Sequence, residues 1–241
     1  ADFPTAMRAI PRQRREQDGK PVFGAVVHND YSHLPRLWPD AKIIYLNRDP
    51  RDIARSCVNV EFKGDLYGAS KIWLESRHEL ELLKGKISDN NYMELRFEDL
   101  AADPETWLTK ICGFLGGSYE PGMLQIDENS TYQPPDPKLA KNWRTGASQG
   151  DIDLMERTMG HDAIRAAGYE PAGDGRPFSA VGHVMAGTRE RMKRHQQGMR
   201  RFGTFTYWTT VIGRRLPGVT RTGVYKRAIA RRNDIVQQGL K

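Results

Sequence analysis

Arg48, Asp49, Arg51 and Asp52 flank Pro50 in the run Leu46-Asn47-Arg48-Asp49-Pro50-Arg51-Asp52, and Ser56 follows shortly after. These residue types can hold an anion. A guanidinium grips a phosphate through two parallel hydrogen bonds. Ser56 lies eight residues beyond Arg48, about two helical turns along, and its hydroxyl can donate to the same group. A helix beginning here would add its positive dipole end and its free backbone N–H groups. The plainer reading of the same charges is a surface salt-bridge cluster in which they satisfy one another.

The elements that must position these residues follow from pattern. Lys42–Asn47 reads as a strand, apolar on both faces, that feeds directly into Arg48. Asp49 suits an N-cap, Pro50 the first helical position, and Asp52 the first turn. Upstream, residues 1–20 read as an Arg-rich helix or arm, and Val22–Val27 as a short buried strand that His28-Asn29-Asp30 leaves for a loop. Tyr31–Trp38 suits a short helix that Pro39-Asp40 terminates.

Downstream, Leu66–Leu83 predicts a helix burying Ile72, Trp73, Leu80 and Leu83. Tyr92–Phe97 predicts a third strand near a sheet edge. Asp103-Pro104-Glu105 repeats the cap-plus-proline start, opening a helix that Gly116-Gly117 ends. Residues 119–136 are loop-like, Asp151–Met159 predicts a helix, Gly168–Pro171 closes the domain and Gly173–Pro177 reads as a linker. Strands alternating with helices predict an α/β domain over residues 1–178, a parallel sheet flanked by helices, with a basic helical extension over 179–241. In such sheets ligands sit beyond the carboxyl ends of the strands, where Arg48 falls.

Arg48-Asp49-Pro50-Arg51-Asp52 with Ser56 resembles the 3′-phosphate-binding motif of sulfotransferases that use 3′-phosphoadenosine-5′-phosphosulfate (PAPS). The resemblance continues through Leu95-Arg96-Phe97-Glu98-Asp99-Leu100, Asp103-Pro104, Asn142-Trp143-Arg144 and Gly168-Tyr169-Glu170-Pro171, covering roughly residues 22–172 with a bacterial flavour. It implies a P-loop-like sulfotransferase fold and PAPS as sulfuryl donor, with the bisphosphate PAP as product. Arg48 and Ser56 would hold the 3′-phosphate, and Arg144 would reach it from a late loop. Phe97 stands where the family often has Tyr, so it can pack on adenine without the hydroxyl contact; a plain core aromatic is the other reading.

An acceptor hydroxyl or amine needs a base. His28 occupies a place similar to that of the family's catalytic His, with Asp30 and His33 as alternatives. The acceptor would be a small molecule, lipid or carbohydrate, met by the variable loops Asn59–Gly68 and Tyr119–Asp136. The sequence departs from the family in one respect: no Gly/Ser-rich phosphate loop follows a strand. Arg144–Ser148 and Gly116–Ser118 are similar in composition but stand in the wrong context. The expectation is therefore a sequence that starts downstream of that loop, or a homologue that binds nucleotide without catalysis. Other readings are a kinase of similar fold, disfavoured because no G-x-x-x-x-G-K-[ST] run is present, and a polyanion-binding module.

The formal charge of +7 is unevenly spread. Residues 180–241 carry 14 Lys/Arg against Glu190 and Asp234, a local +12, whereas the remaining 23 basic and 28 acidic residues sum to −5. Nucleic acid is therefore not the expected partner of the main domain. The tail interleaves Arg with Phe202, Phe205, Tyr207 and Trp208. It suits an extension packed on the domain through Phe202, Phe205 and Trp208, an anionic membrane surface, or a polyanion. Two cysteines, and a start without an apolar leader-like core, lead to a cytoplasmic, reducing setting, with membrane association through the tail. No His/Asp/Glu cluster has metal-ligand spacing, so no metal is expected.

Overall fold

The protein's structure, a computed structural model, describes residues 2–20, 22–28, 30–125, 136–140, 142–216, 218, 220 and 222–238. Helix α1 (Phe3–Asp18) is capped by the Asp2 carboxylate, which accepts from Thr5 N–H. Residues Tyr31–His33 make a 3-10 turn into α2 (Leu34–Leu37). Then come β1 (Ile43–Asn47), α3 (Pro50–Asn59), α4 (Leu66–Lys84), β2 (Tyr92–Arg96), α5 (Phe97–Ala102) and α6 (Pro104–Leu115). The short α7 (Trp143–Gly146) precedes α8 (Gln149–Met159) and α9 (His161–Ala166). The extension is α10 (Ala180–Phe202), α11 (Thr204–Arg215) and α12 (Gly223–Gln238).

The fold is α/β and mostly helical, with a small parallel sheet. Strands β1 and β2 pair with Ile43 opposite Tyr92 and Asn47 opposite Arg96. The cap-and-proline reading holds at both helices: Asp49 accepts from Arg51 N–H at α3, and Asp103 from Thr106 N–H at α6, which ends on Gly116 at φ 88°. Helix α8 begins earlier than its apolar pattern suggests, because Ser148 and Asp151 form a capping box.

Two strand expectations are corrected. Residues 22–28 are not a strand, and Val22 and Val26 are exposed. A strand forms only where a ladder partner exists, and among the described residues the sheet consists of β1 and β2 alone. Strand β1 is also not buried on both faces. Side chains alternate along it: Ile43 and Tyr45 pack toward Tyr31, Leu80 and Leu83, while Ile44 and Leu46 remain open.

The main core lies between α3, α4, α8 and α9, where Ala54, Ala69, Trp73, Met155, Met159 and Ile164 are buried together. The predicted buried side of α4 is correct for Trp73, Leu80 and Leu83, with Ile72 only half-buried. Helix α10 docks on the start of α4. A Cβ on Gly64 would lie 2.9 Å from the backbone N of Arg194, so glycine is what admits the approach. Phe178 and His183 meet the Tyr67 ring.

The extension does not pack through the aromatics expected. Phe205 is 72% exposed, and Trp208 lies partly open, stacked on His195. Phe202 is half-buried beneath Arg232. The buried residues of α11 are instead Thr206, Thr210 and Gly213.

Candidate functional site

The parallel register explains how the site forms. Asn47 and Arg96 end their strands side by side, so the next residues, Arg48 and Phe97, emerge as neighbours. The Arg48 guanidinium lies over the Phe97 ring, 4.4 Å from its centroid. The core-aromatic and the adenine readings of Phe97 meet at this contact: the ring is half-buried and covered on one side by a cation.

Behind Arg48, the charges of the motif do not form a surface cluster. Asp49, Arg51 and Asp52 are each at most 3% exposed. Arg51 donates to both Asp49 oxygens, through Nε at 2.9 Å and Nη2 at 2.8 Å, and through Nη1 to Glu156 at 2.7 Å and to the Glu170 carbonyl at 3.0 Å. Its guanidinium also stacks on Trp143, 3.7 Å from the ring centroid. Burial alone would lower the Arg51 pKa; the hydrogen bonds and charges of Asp49 and Glu156 outweigh it and hold the group above its usual value.

This core of ions ties distant segments to the start of α3. Trp143 donates its backbone N–H to Asp52 at 2.8 Å and its indole N–H to Asp49 at 2.9 Å. Glu98 accepts from Asp49 N–H and from the Tyr169 hydroxyl, each at 2.9 Å. Glu156 accepts from Ala172 and Gly173 N–H as well, fixing where the chain leaves the domain. Burial raises the Asp52 carboxyl above its usual pKa despite the Trp143 bond and nearby Arg48. Tyr169 is raised by burial and by the Glu98 charge.

One expectation changes as a result. The helix start does not present all its backbone donors to a ligand: Asp49 N–H goes to Glu98, Arg51 N–H goes to Asp49, and Pro50 has none. The donors left open to a ligand there are chiefly side chains. Ser56 is exposed on the second turn of α3, and Arg144 is exposed beside Trp143 on α7. Arg55 donates to the Asn142 carbonyl at 2.7 Å, a second contact that holds the start of α7 against α3. Arg48, Phe97 and the α3 and α7 segments bearing Ser56 and Arg144 thus gather around one junction.

His28 and Asp30 lie elsewhere. They border a cavity of about 540 Å³ against α4, with Tyr31, Glu75, His78 and Glu79. Neither Arg48, Ser56, Phe97 nor Arg144 lines it. His33 is exposed and does not line it either. Of the acceptor loops, Gly64–Gly68 is buried apart from half-buried Leu66, and α10 covers it at Gly64 and Gly68; of 119–136, residues 126–135 lie outside the described residues.

Glu156 and Glu98 are the site residues that sequence reasoning passed over. Glu156 carried a signal: with Ile152, Met155 and Met159 it falls on the apolar stripe of α8, where a carboxylate must find a cation. Among the described residues no group of three or more His, Cys, Asp or Glu could hold a metal.

Comparison with known proteins bears on the family and the fold. A model of the sulfotransferase family matches residues 9–121. Sulfotransferase 2A1 of Macaca fascicularis is 29% identical over 169 residues, 58% of this chain and 53% of its own. Sulfotransferase 2A1 of Homo sapiens is 32% identical over 130 residues, 42% of this chain and 44% of its own. The sulfotransferase domain from the curacin biosynthetic pathway shares the fold, with a TM-score of 0.52 at 19% identity over 68% of this chain and 69% of that one. Over these residues the chain is similar to sulfotransferases. It spans about half the length of the curated relatives it matches.

Proposed function

We propose that this chain binds PAPS and its product PAP at the β1–α3 junction and takes part in sulfuryl transfer to a hydroxyl or amine. The acceptor is a small molecule, lipid or carbohydrate. The observation that carries the reading is Arg48, stacked on Phe97 at the carboxyl end of the sheet, with Ser56 and Arg144 exposed on the two helices pinned beside it.

The residues present fit the 3′-phosphate half of such a ligand. Arg51 is neutralised by Asp49 and Glu156 and has no charge to spare, so its part is to fix α3. Arg48, Ser56 and Arg144 are the donors that would hold the phosphate, and the exposed side of Phe97 suits a purine face. PAPS supplies a sulfuryl group on a phosphate leaving group. The acceptor oxygen or nitrogen must lose a proton, and His28, with Asp30 and His33 as alternatives, is the base we assign to that step.

Calorimetric titration with PAP, using ADP as control, tests the binding step. PAP is expected to bind selectively, and Arg48→Ala to abolish useful affinity; equal binding of ADP, or unchanged affinity in the variant, overturns the assignment. His28→Ala is expected to lower turnover ~10²–10⁴-fold while leaving PAP affinity intact. Parent-level turnover would move the base to Asp30 or His33.

A further inference from the structure

Helices α10 and α11 are amphipathic in the reverse sense. On α10, the residues facing α4 and the preceding loop are His183, Gly187, Glu190, Arg194 and Gln197. The opposite side carries Val181, Val184, Met185 and Met192, all more than half exposed. On α11 the buried side is Thr206, Thr210 and Gly213, while Phe205, Trp208, Ile212 and then Leu216 recur at helical spacing on the open side. Phe205 is 72% and Ile212 46% exposed. A water-facing helix puts its apolar stripe inward; here small and polar residues take that place.

Charge says what covers this face. Arg200, Arg201, Arg214 and Arg215 are exposed at the two ends of the apolar stripe of α11. Helix α11 contains no acidic residue, and the single acid of α10, Glu190, is turned onto Gly68 with its side chain 12% exposed. A second copy of the chain would bring like charge against like. A polyanion such as heparin or nucleic acid would meet the arginines but leave Phe205, Ile212 and Leu216 in water. An anionic lipid surface satisfies both: headgroups for the arginines, acyl chains for the apolar stripe, and the headgroup boundary for Trp208. No helix among the described residues is long and apolar enough to cross a membrane.

We propose that the open face of α11, with that of α10, seats the protein on an anionic lipid surface, lying in the interface without spanning it. The test is cosedimentation of the full chain with phosphatidylcholine vesicles, with and without phosphatidylglycerol. Binding is expected only to the anionic vesicles. Phe205→Ser/Ile212→Ser should weaken it on the order of tenfold or more, because both charged ends remain and only apolar burial is lost. Binding by the double variant equal to that of the parent overturns the proposal in favour of a charge-only polyanion surface. Self-association of the parent that the variant abolishes overturns it in favour of a second copy. Should the variant fold poorly, brominated lipid tests the unaltered chain: Trp208 must be quenched, read as the difference from Trp208→Phe, and an absent difference overturns the proposal.

Discussion

The junction behind Arg48 and the outer face of α11 break the ordinary rule of burial in opposite directions. At the first, an arginine, two aspartates and two glutamates are taken out of water. At the second, phenylalanine, isoleucine and leucine are left in it. The difference lies in what each side chain can find. A buried ion is tolerable when every donor and acceptor around it is matched, and Arg51 meets four oxygens from Asp49, Glu156 and Glu170. The exposed apolar stripe finds no such answer among the described residues, which is why an external surface is proposed for it. The interior cluster builds the candidate site; the exterior stripe is the face proposed to meet a lipid surface.

The largest effect is expected from breaking the buried pairings. Arg51→Met leaves Asp49 and Glu156 buried without their cation, and should cost about 3–5 kcal/mol in denaturant unfolding. It should weaken PAP binding although Arg51 is not assigned to the ligand. A cost near zero would mean that the charges find water and that the comparison fails on its interior side.

Next comes the packing behind the apolar stripe. A Cβ on Gly213 would fall within the Tyr225 ring of α12. Gly213→Ala should therefore cost roughly 1–3 kcal/mol and speed amide exchange in α11 and α12 while sparing α3 and α8. Uniform loss of protection across the chain would show that domain and extension unfold as one.

The smallest effect concerns Asp52. Burial raises its folded pKa above the usual 3.8, so the folded state holds this proton more tightly than the unfolded chain does. The stability linked to Asp52 is therefore greatest in acid and is lost as pH rises through the folded pKa. Asp52→Asn keeps an oxygen for Trp143 N–H and removes that loss. Its melting temperature should exceed the parent's at neutral pH, with the gap closing as pH falls toward 3.8. A gap independent of pH would contradict the burial argument.

Much of the site was legible because its signals are local. Asp49 before Pro50, Asp103 before Pro104 and Gly116 after Leu115 act within one or two turns, and the helices begin and end there. The order of motifs through Arg48, Phe97 and Arg144 carried the resemblance to sulfotransferases. Burial was less legible. Val22–Val27 and Lys42–Asn47 have the composition of buried strands, yet one lacks a ladder partner and the other is covered on one face. Composition states what a segment can bury; neighbours decide whether it does.

The sequence alone determined where α3 and α6 begin and where α6 ends, the placement of Arg48 after a strand, the family resemblance and the concentration of positive charge beyond residue 179, because each depends on residues close together in the chain. Only the tertiary structure decided that Asp49, Arg51 and Glu156 share a buried network, that Asp49 and Glu98 consume backbone donors at the start of α3, and that α11 turns Thr206 and Thr210 inward and Phe205 and Ile212 out. Those outcomes depend on pairings across about a hundred residues of chain and on which helix face a neighbour covers, and neither is written in any local pattern.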